Sequence, residues 1–189
     1  MKTQPVIVGI SGASGAIYGV RLLATLRRLG VETHLVISQG ARLTLPETGL
    51  TVGEVEQLAT VAHQPDQLAA VIASGSFLTA GMLVAPCSMR TLAAIAHGAP
   101  HNLLTRAADV TLKERRRLVL LTRESPLTLA HLRNMASVTL MGGIICPPLP
   151  AFYPRPQTVD DIVNFSVSRA VELLGVHDPE LPRWKADGN

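Results

Sequence analysis

The sequence predicts an α/β fold: an open, mostly parallel sheet with helices on both faces. Three observations predict it. Short apolar runs alternate with stretches of helical periodicity along most of the chain. A glycine-rich turn, Ser11-Gly12-Ala13-Ser14-Gly15, follows the first apolar run and opens the first helical stretch. The apolar content, 47% of 189 residues with only 3% aromatic, is carried by Ala, Leu, Val and Ile, a mix suited to strands buried on both faces. The length fits one domain over residues 1–189, with a C-terminal tail from about residue 176.

Taken in order, residues 5–10 read as a strand, 16–29 as a helix closed by Gly30, and 31–37 as a second strand, so a right-handed βαβ crossover follows. Ser38-Gln39-Gly40 turns into a short helix, and Pro46-Glu47-Thr48-Gly49 forms a loop. Between residues 51 and 73 the pattern is weak and supports only helical and loop segments. Residues 81–85 form a buried strand, Pro86-Cys87-Ser88 a turn, and 89 to about 97 a helix. A helix over 103–115, a strand over 118–122, a helix over 128–140 and a short strand over 143–146 follow. Pro147-Pro148-Leu149-Pro150 is a rigid crossing segment, and Thr158 caps a final long helix whose Asp160 and Asp161 complement its positive end. In such a fold the ligand lies beyond the carboxyl ends of the strands.

Composition excludes several function classes. With 16% charged residues and a net charge of +3, the bulk of the chain is not disordered. So few aromatics leave little for a base-stacking platform, and no nucleic-acid partner is expected. The cationic surplus attracts phosphate-bearing partners; it is densest at Lys113-Glu114-Arg115-Arg116-Arg117, where the Arg115-Arg116-Arg117 run is expected to serve as surface charge. Cys87 and Cys146 are too few for a disulfide framework and no Cys/His spacing fits zinc, which predicts a reducing, cytoplasmic compartment and no metal. The first residues lack the anatomy of a secretory signal. The uncharged stretch 67–89 is interrupted by Ser74-Gly75-Ser76, Gly81 and Pro86, so a buried strand with turns is expected there and no membrane span.

Polar segments fall at predicted strand ends: residues 11–14, Ser38, residues 87–91 and Arg123-Glu124. Small residues in the first let backbone N–H groups approach an anion, but Gly9-x-x-Gly12-x-x-Gly15 departs from the dinucleotide fingerprint, and Ser38 stands where an acid would end the second strand. Cys87 reads as inert packing, and none of the six histidines is assigned to metal or catalysis. On the helix over 103–115, Arg106 and Lys113 share a face with Asp109 between them, and an Asp109–Lys113 surface pair is the plainer expectation. Arg123-Glu124 is harder to set aside, because two opposite charges at the end of a buried strand are costly without a task. Tyr153, on the proline-stiffened segment 152–156, either reaches an anion or pins the loop; Arg169 either neutralises a phosphate or pairs with Glu172.

Together these segments resemble the flavin prenyltransferases, the UbiX family within the homo-oligomeric flavin-containing decarboxylase-like flavoproteins. The resemblance is carried by Gly9-Ile10-Ser11-Gly12-Ala13-Ser14-Gly15, Ser74-Gly75-Ser76, Pro86-Cys87-Ser88-Met89-Arg90-Thr91, Thr105 to Val110 with Lys113-Glu114-Arg115, Arg123-Glu124, Pro147 to Tyr153, and Leu181-Pro182-Arg183-Trp184, in the family's order. It implies a Rossmann-like three-layer αβα flavoprotein fold and a metal-independent enzyme. Such an enzyme transfers a dimethylallyl group from dimethylallyl phosphate, or in some members the diphosphate, to reduced FMN. The prenylated FMN then serves a separate UbiD-type decarboxylase in ubiquinone biosynthesis or aromatic-acid decarboxylation. By matching motif, Gly12, Ala13, Ser14, Ser38, Ser88, Met89, Arg90, Thr91 and Arg123 would contact FMN. Arg106, Lys113, Tyr153 and Arg169 would hold the prenyl phosphate, some of them across a subunit interface in a homo-oligomer, a dodecamer. Glu47, Glu124, Lys113 and Trp184 would be catalytic, with Trp184 near the prenyl group and Glu124 handling the phosphate's proton, helped by Glu47 in a later step. Two rival readings are an FMN-dependent cysteine decarboxylase of the same superfamily, which needs no cations for a leaving phosphate, and a non-catalytic FMN carrier.

Overall fold

The computed structural model describes residues 4–184. Six strands form one sheet: β1 (Val6–Ile10), β2 (Thr33–Ile37), β3 (Val61–His63), β4 (Gly81–Cys87), β5 (Arg117–Thr122) and β6 (Ile144–Ile145). Their order is β3-β2-β1-β4-β5-β6, and every pairing is parallel. The helices are α1 (Ile17–Arg28), α2 (Gln39–Thr44), α3 (Val52–Glu56), α4 (Met89–Ala96), α5 (Leu103–Lys113), α6 (Leu129–Leu140) and α7 (Val159–Leu174).

Strand alternation divides the core into two layers. From β1, Val6, Val8 and Ile10 face α1 and α7, joined by Leu83 and Ala85 of β4 and Val119 and Leu121 of β5. The intervening Ile7, Met82, Val84, Leu118 and Leu120 face α4 and α5, where Leu92, Leu104 and Ala107 meet them. Leu22, Leu23 and Leu26 of α1 are fully buried, each worth about 1.5–3 kcal/mol of apolar burial. The strand order reverses between β1 and β4, and there a crevice opens beyond the strands' carboxyl ends.

Four expectations change. β3 lies inside the stretch read as helix and loop; it has three residues, two of them exposed, and borders only β2, so no apolar run marked it. Pro86-Cys87 is the end of β4 and not a turn: the ladder to β5 shifts register between Val84 and Cys87, accommodating a residue without an N–H. Ser38 caps α2 directly, its hydroxyl accepting from the Ala41 N–H, and residues 45–48 form a 3₁₀ turn where a loop was expected. The final helix begins as expected, with Thr158 and Asp161 closing a reciprocal capping box.

Candidate active site

The crevice is built where β1 and β4 part. Ser11, fully buried after β1, donates its hydroxyl to the Pro86 carbonyl at 2.9 Å and accepts from the Ser88 N–H at 2.7 Å, locking the two strand ends together. Arg123 follows β5 and is tied to the same rim by its N–H, which donates to the Cys87 carbonyl at 3.1 Å. Ser88 caps α4, accepting from the Thr91 N–H and donating to the Thr91 hydroxyl at 3.1 Å. The open N–H groups of the α4 first turn therefore border the crevice, with the positive end of the helix behind them.

The opposite wall is a close approach of two backbones. A Cβ on Gly12 would stand 2.7 Å from the Gly40 carbonyl carbon, so only glycine lets the first turn meet the start of α2. The cavity between holds about 580 Å³ and is lined by Gly12, Ser38, Gly40, Ser88, Met89, Arg90, Thr91 and Glu124. Glu47 reaches the same turn from the 3₁₀ segment, its Oε2 accepting from the Ser14 hydroxyl at 3.0 Å. Glu124 stands at the rim with Oε1 accepting from the Ser125 N–H. Tyr18 packs beneath Gly15; burial pushes its phenol up, and the Arg123 charge, near enough to matter, pulls it down.

One folded chain thus gathers Gly12, Ser38, Ser88, Met89, Arg90, Thr91 and Glu124 around a single cavity, with Ser14 and Glu47 joined on the adjoining turn. The fit to FMN is chemical as well as spatial: backbone N–H groups and hydroxyls for a phosphate, and a side-chain-free glycine floor against which a planar ring system can lie.

The expected phosphate-binding residues lie elsewhere in the chain. α5 starts at this rim, where Asn102 caps it, and runs back along the sheet for 11 residues, about 16 Å. Lys113 therefore ends toward the amino ends of the strands, beside the Glu114 carboxylate and the Ser74-Gly75-Ser76 loop. The Asp109–Lys113 pair is not formed: Asp109 takes the Arg106 guanidinium at 2.7 Å, and Lys113 takes Glu114. Arg116, read as surface charge, is half-buried and donates to the Gly75 and Phe77 carbonyls at 2.6 and 2.7 Å.

Tyr153 and Trp184 form a third group. Their rings meet edge-on at 5.4 Å, Phe165 lies edge-on to Tyr153 at 5.6 Å, and the Tyr153 hydroxyl donates to the Pro182 carbonyl at 3.1 Å. Arg169 is exposed on α7, and its charge reaches the Cys146 thiol; Glu172 pairs with Arg183 instead. Cys87 is fully buried, which raises its thiol pKa far above the ordinary range and fits the packing role expected of it. Among the described residues no cluster of His, Cys, Asp and Glu fits a metal ion, and no helix is long and apolar enough to cross a membrane.

Gln39, Pro65, Asp66, His101 and Asn102 also line the crevice and were not anticipated. Pro65 and Asp66 follow the unrecognised β3. Asn102 and Thr105 form a capping box readable from their spacing, which would have placed the start of α5 at the rim.

The chain matches the Flavoprotein family over residues 1–171. It is 58% identical over 180 residues to the flavin prenyltransferase UbiX of Neisseria meningitidis serogroup B, covering 95% of each chain. To that of Escherichia coli K12 it is 55% identical over 183 residues, covering 95% of this chain and 97% of the other. It superposes with a TM-score of 0.94 at 46% identity on a crystal structure of AnUbiX (PadA1) in complex with FMN and dimethylallyl pyrophosphate, covering 96% of this chain and 97% of that one. An FMN-dependent cysteine decarboxylase, TvaF, shares the fold alone, at 15% identity and a TM-score of 0.67. With a polar, glycine-floored crevice at the strand switch point and relatives of this identity over nearly the whole length, the chain belongs to the Flavoprotein family and, within it, to the UbiX flavin prenyltransferases.

Proposed function

We propose that this enzyme transfers a dimethylallyl group from dimethylallyl phosphate to reduced FMN, and that Gly12, Ala13, Ser14, Ser38, residues 88–91 and Arg123 hold the flavin. The observation that carries this reading is the switch-point crevice, where open N–H groups of α4 and a glycine floor share one cavity with a carboxylate, Glu124. When bound, reduced FMN supplies the nucleophilic N5 that takes the allyl carbon. The chain's own task is the other half of the bond cleavage. Departure of an allylic phosphate leaves negative charge on oxygen and positive charge on carbon; cations stabilise the first and aromatic faces the second. Arg106, Lys113, Tyr153 and Arg169 serve the phosphate and Trp184 the allyl carbon, while Glu124 holds the proton passed to the phosphate, assisted by Glu47 through Ser14.

Because α5 carries Lys113 away from the crevice toward the amino ends of the strands, a complete site draws on more than one copy of the chain. A homo-oligomer in which the Lys113 end of one protomer meets the crevice of another supplies it, and a dodecamer is the proposed assembly. A UbiX-like decarboxylase from Escherichia coli O157:H7, dodecameric and FMN-dependent, superposes with a TM-score of 0.92 at 50% identity. The product passes to a UbiD-type decarboxylase. The free thiols Cys87 and Cys146 accord with a reducing cytoplasm.

Anaerobic incubation with reduced FMN and dimethylallyl phosphate, followed by mass analysis of the flavin, tests the reading. A gain of one C5H8 unit is expected. Unmodified flavin would overturn it, and turnover of a peptidyl thiol carboxylate would move the chain to the cysteine decarboxylases.

A further inference from the structure

The tail after α7 is fastened at a point remote from the crevice. Asp178 is fully buried, an expensive place for a carboxylate unless it is paired. Its Oδ1 accepts from Arg28 at 2.9 Å, in the last turn of α1, and from the Glu180 N–H at 3.1 Å. The second nitrogen of the same guanidinium reaches Glu180 at 3.1 Å, so one arginine grips both acids of a single turn. Leu181, also buried, closes that turn, its N–H donating to the Asp178 carbonyl. The next residue is Pro182, whose carbonyl receives the Tyr153 hydroxyl, and two residues on Trp184 meets the Tyr153 ring. Arg183 adds a tie to Glu172 of α7. Burial opposes ionisation of Asp178, yet its hydrogen bonds and the Arg28 charge hold it below the usual carboxylate range.

From this chain of contacts we infer that Arg28 and Asp178 are positioning residues for prenyl transfer: their ion pair, buried on the Asp178 side only, fixes the tail so that Tyr153 and Trp184 are presented as one preformed unit. The inference rests on the roles given above to Tyr153 and Trp184. Neither anchor residue touches the crevice, so flavin binding does not depend on them.

The chain has one tryptophan, so Trp184 fluorescence reports on the tail independently of activity. In Asp178→Asn and Arg28→Gln, Trp184 anisotropy is expected to fall. In both, kcat/KM for dimethylallyl phosphate should drop at least about tenfold, because small misplacements of reacting groups are costly, while FMN affinity stays within about twofold of wild type. Arg28→Lys, which keeps the charge, should recover part of both signals, and the double variant should be no worse than either single one, as expected for two residues acting as a pair. Wild-type anisotropy and kinetics in Asp178→Asn would overturn the inference. So would loosened anisotropy with unchanged kinetics, or parallel loss of FMN binding and melting temperature, which would mark a purely structural pair. If the wild-type chain itself forms no prenylated flavin, the functional reading fails, and with it the claim of positioning for transfer; anisotropy then decides the anchor alone.

Discussion

The crevice at the ends of β1 and β4 and the basic end of α5 are both rich in polar side chains, but they are built in opposite ways. The crevice is fixed by short contacts within one chain: Ser11 bridges two strands, Ser88 caps α4, and Gly12 meets Gly40 backbone to backbone. Lys113 stands toward the amino ends of the strands, held by the neighbouring Glu114, a pair exposed enough that it contributes little to the fold. On the roles proposed above, the residues that would recognise the planar flavin are preorganised by the core, whereas Lys113, proposed to meet the phosphate, stands on a long, charged side chain. Under that proposal, recognition of the flavin and stabilisation of the leaving group should be separable by mutation.

The largest expected effect tests that separation. Lys113→Met should lower prenyl transfer by about 100-fold or more, the usual scale for losing one stabiliser of transition-state charge, with FMN binding unchanged by fluorescence titration. Glu124→Gln, on the crevice side, should slow single-turnover transfer by about 100-fold, again with little change in FMN affinity. Mixing the two inactive variants under conditions that exchange subunits sharpens the comparison. If Lys113 serves a neighbour's crevice, some mixed assemblies regain an intact site and activity returns; if both residues serve their own chain's crevice, it does not.

A smaller loss is expected in the crevice wall itself. Gly12→Ala puts a Cβ 2.7 Å from the Gly40 carbonyl carbon, and neither backbone can yield as a flexible side chain would. The turn must shift, at a cost of about 1–3 kcal/mol. Flavin affinity should fall with stability, whereas Lys113→Met leaves both in place.

How much of this was readable in advance depends on where the information lies. α1, α5 and α7 announce themselves because periodicity and end residues agree, as Thr158 and Asp161 do at the start of α7. β3 does not, since a three-residue edge strand has no buried run of its own. At Pro86 a local rule misled: a proline suggests a turn, but the register shift beside β5 keeps it in the strand. Asp109 had two cations within helical reach, and only the built side chains show that Arg106, three residues earlier, takes it. The crevice residues were legible because parallel strands bring their carboxyl ends to one rim. The separation of Lys113 from them follows from the same topology, because a helix that begins at that rim must run away from it. The tail anchor was not legible at all: Arg28 and Asp178 are 150 positions apart and neither belongs to a motif.

The smallest effect concerns the sheet edge beyond both regions. His34 of β2 is buried, its Nδ1 2.9 Å from Nε2 of His63 on β3, with the rings stacked and Phe77 against His34. Burial lowers the pKa of both; Glu32 partly offsets this for His34, and His34 reinforces it for His63. The folded state therefore resists protonating imidazoles that the unfolded chain protonates near pH 6.5, so stability is fully present above that pH and is lost as pH falls toward the lowered folded values. A pair sharing one hydrogen bond cannot keep it with both rings doubly protonated, which places the loss on β3 and the β2–β3 edge. The melting temperature should decline as pH falls below about 6.5, by roughly 2–4 °C for each kcal/mol lost. His34→Gln should flatten that slope while changing prenyl transfer at neutral pH by no more than about twofold, because neither His34 nor His63 lines the crevice, which this edge meets only through the residues that follow its strands; an equally steep slope in the variant would assign the acid sensitivity to other groups.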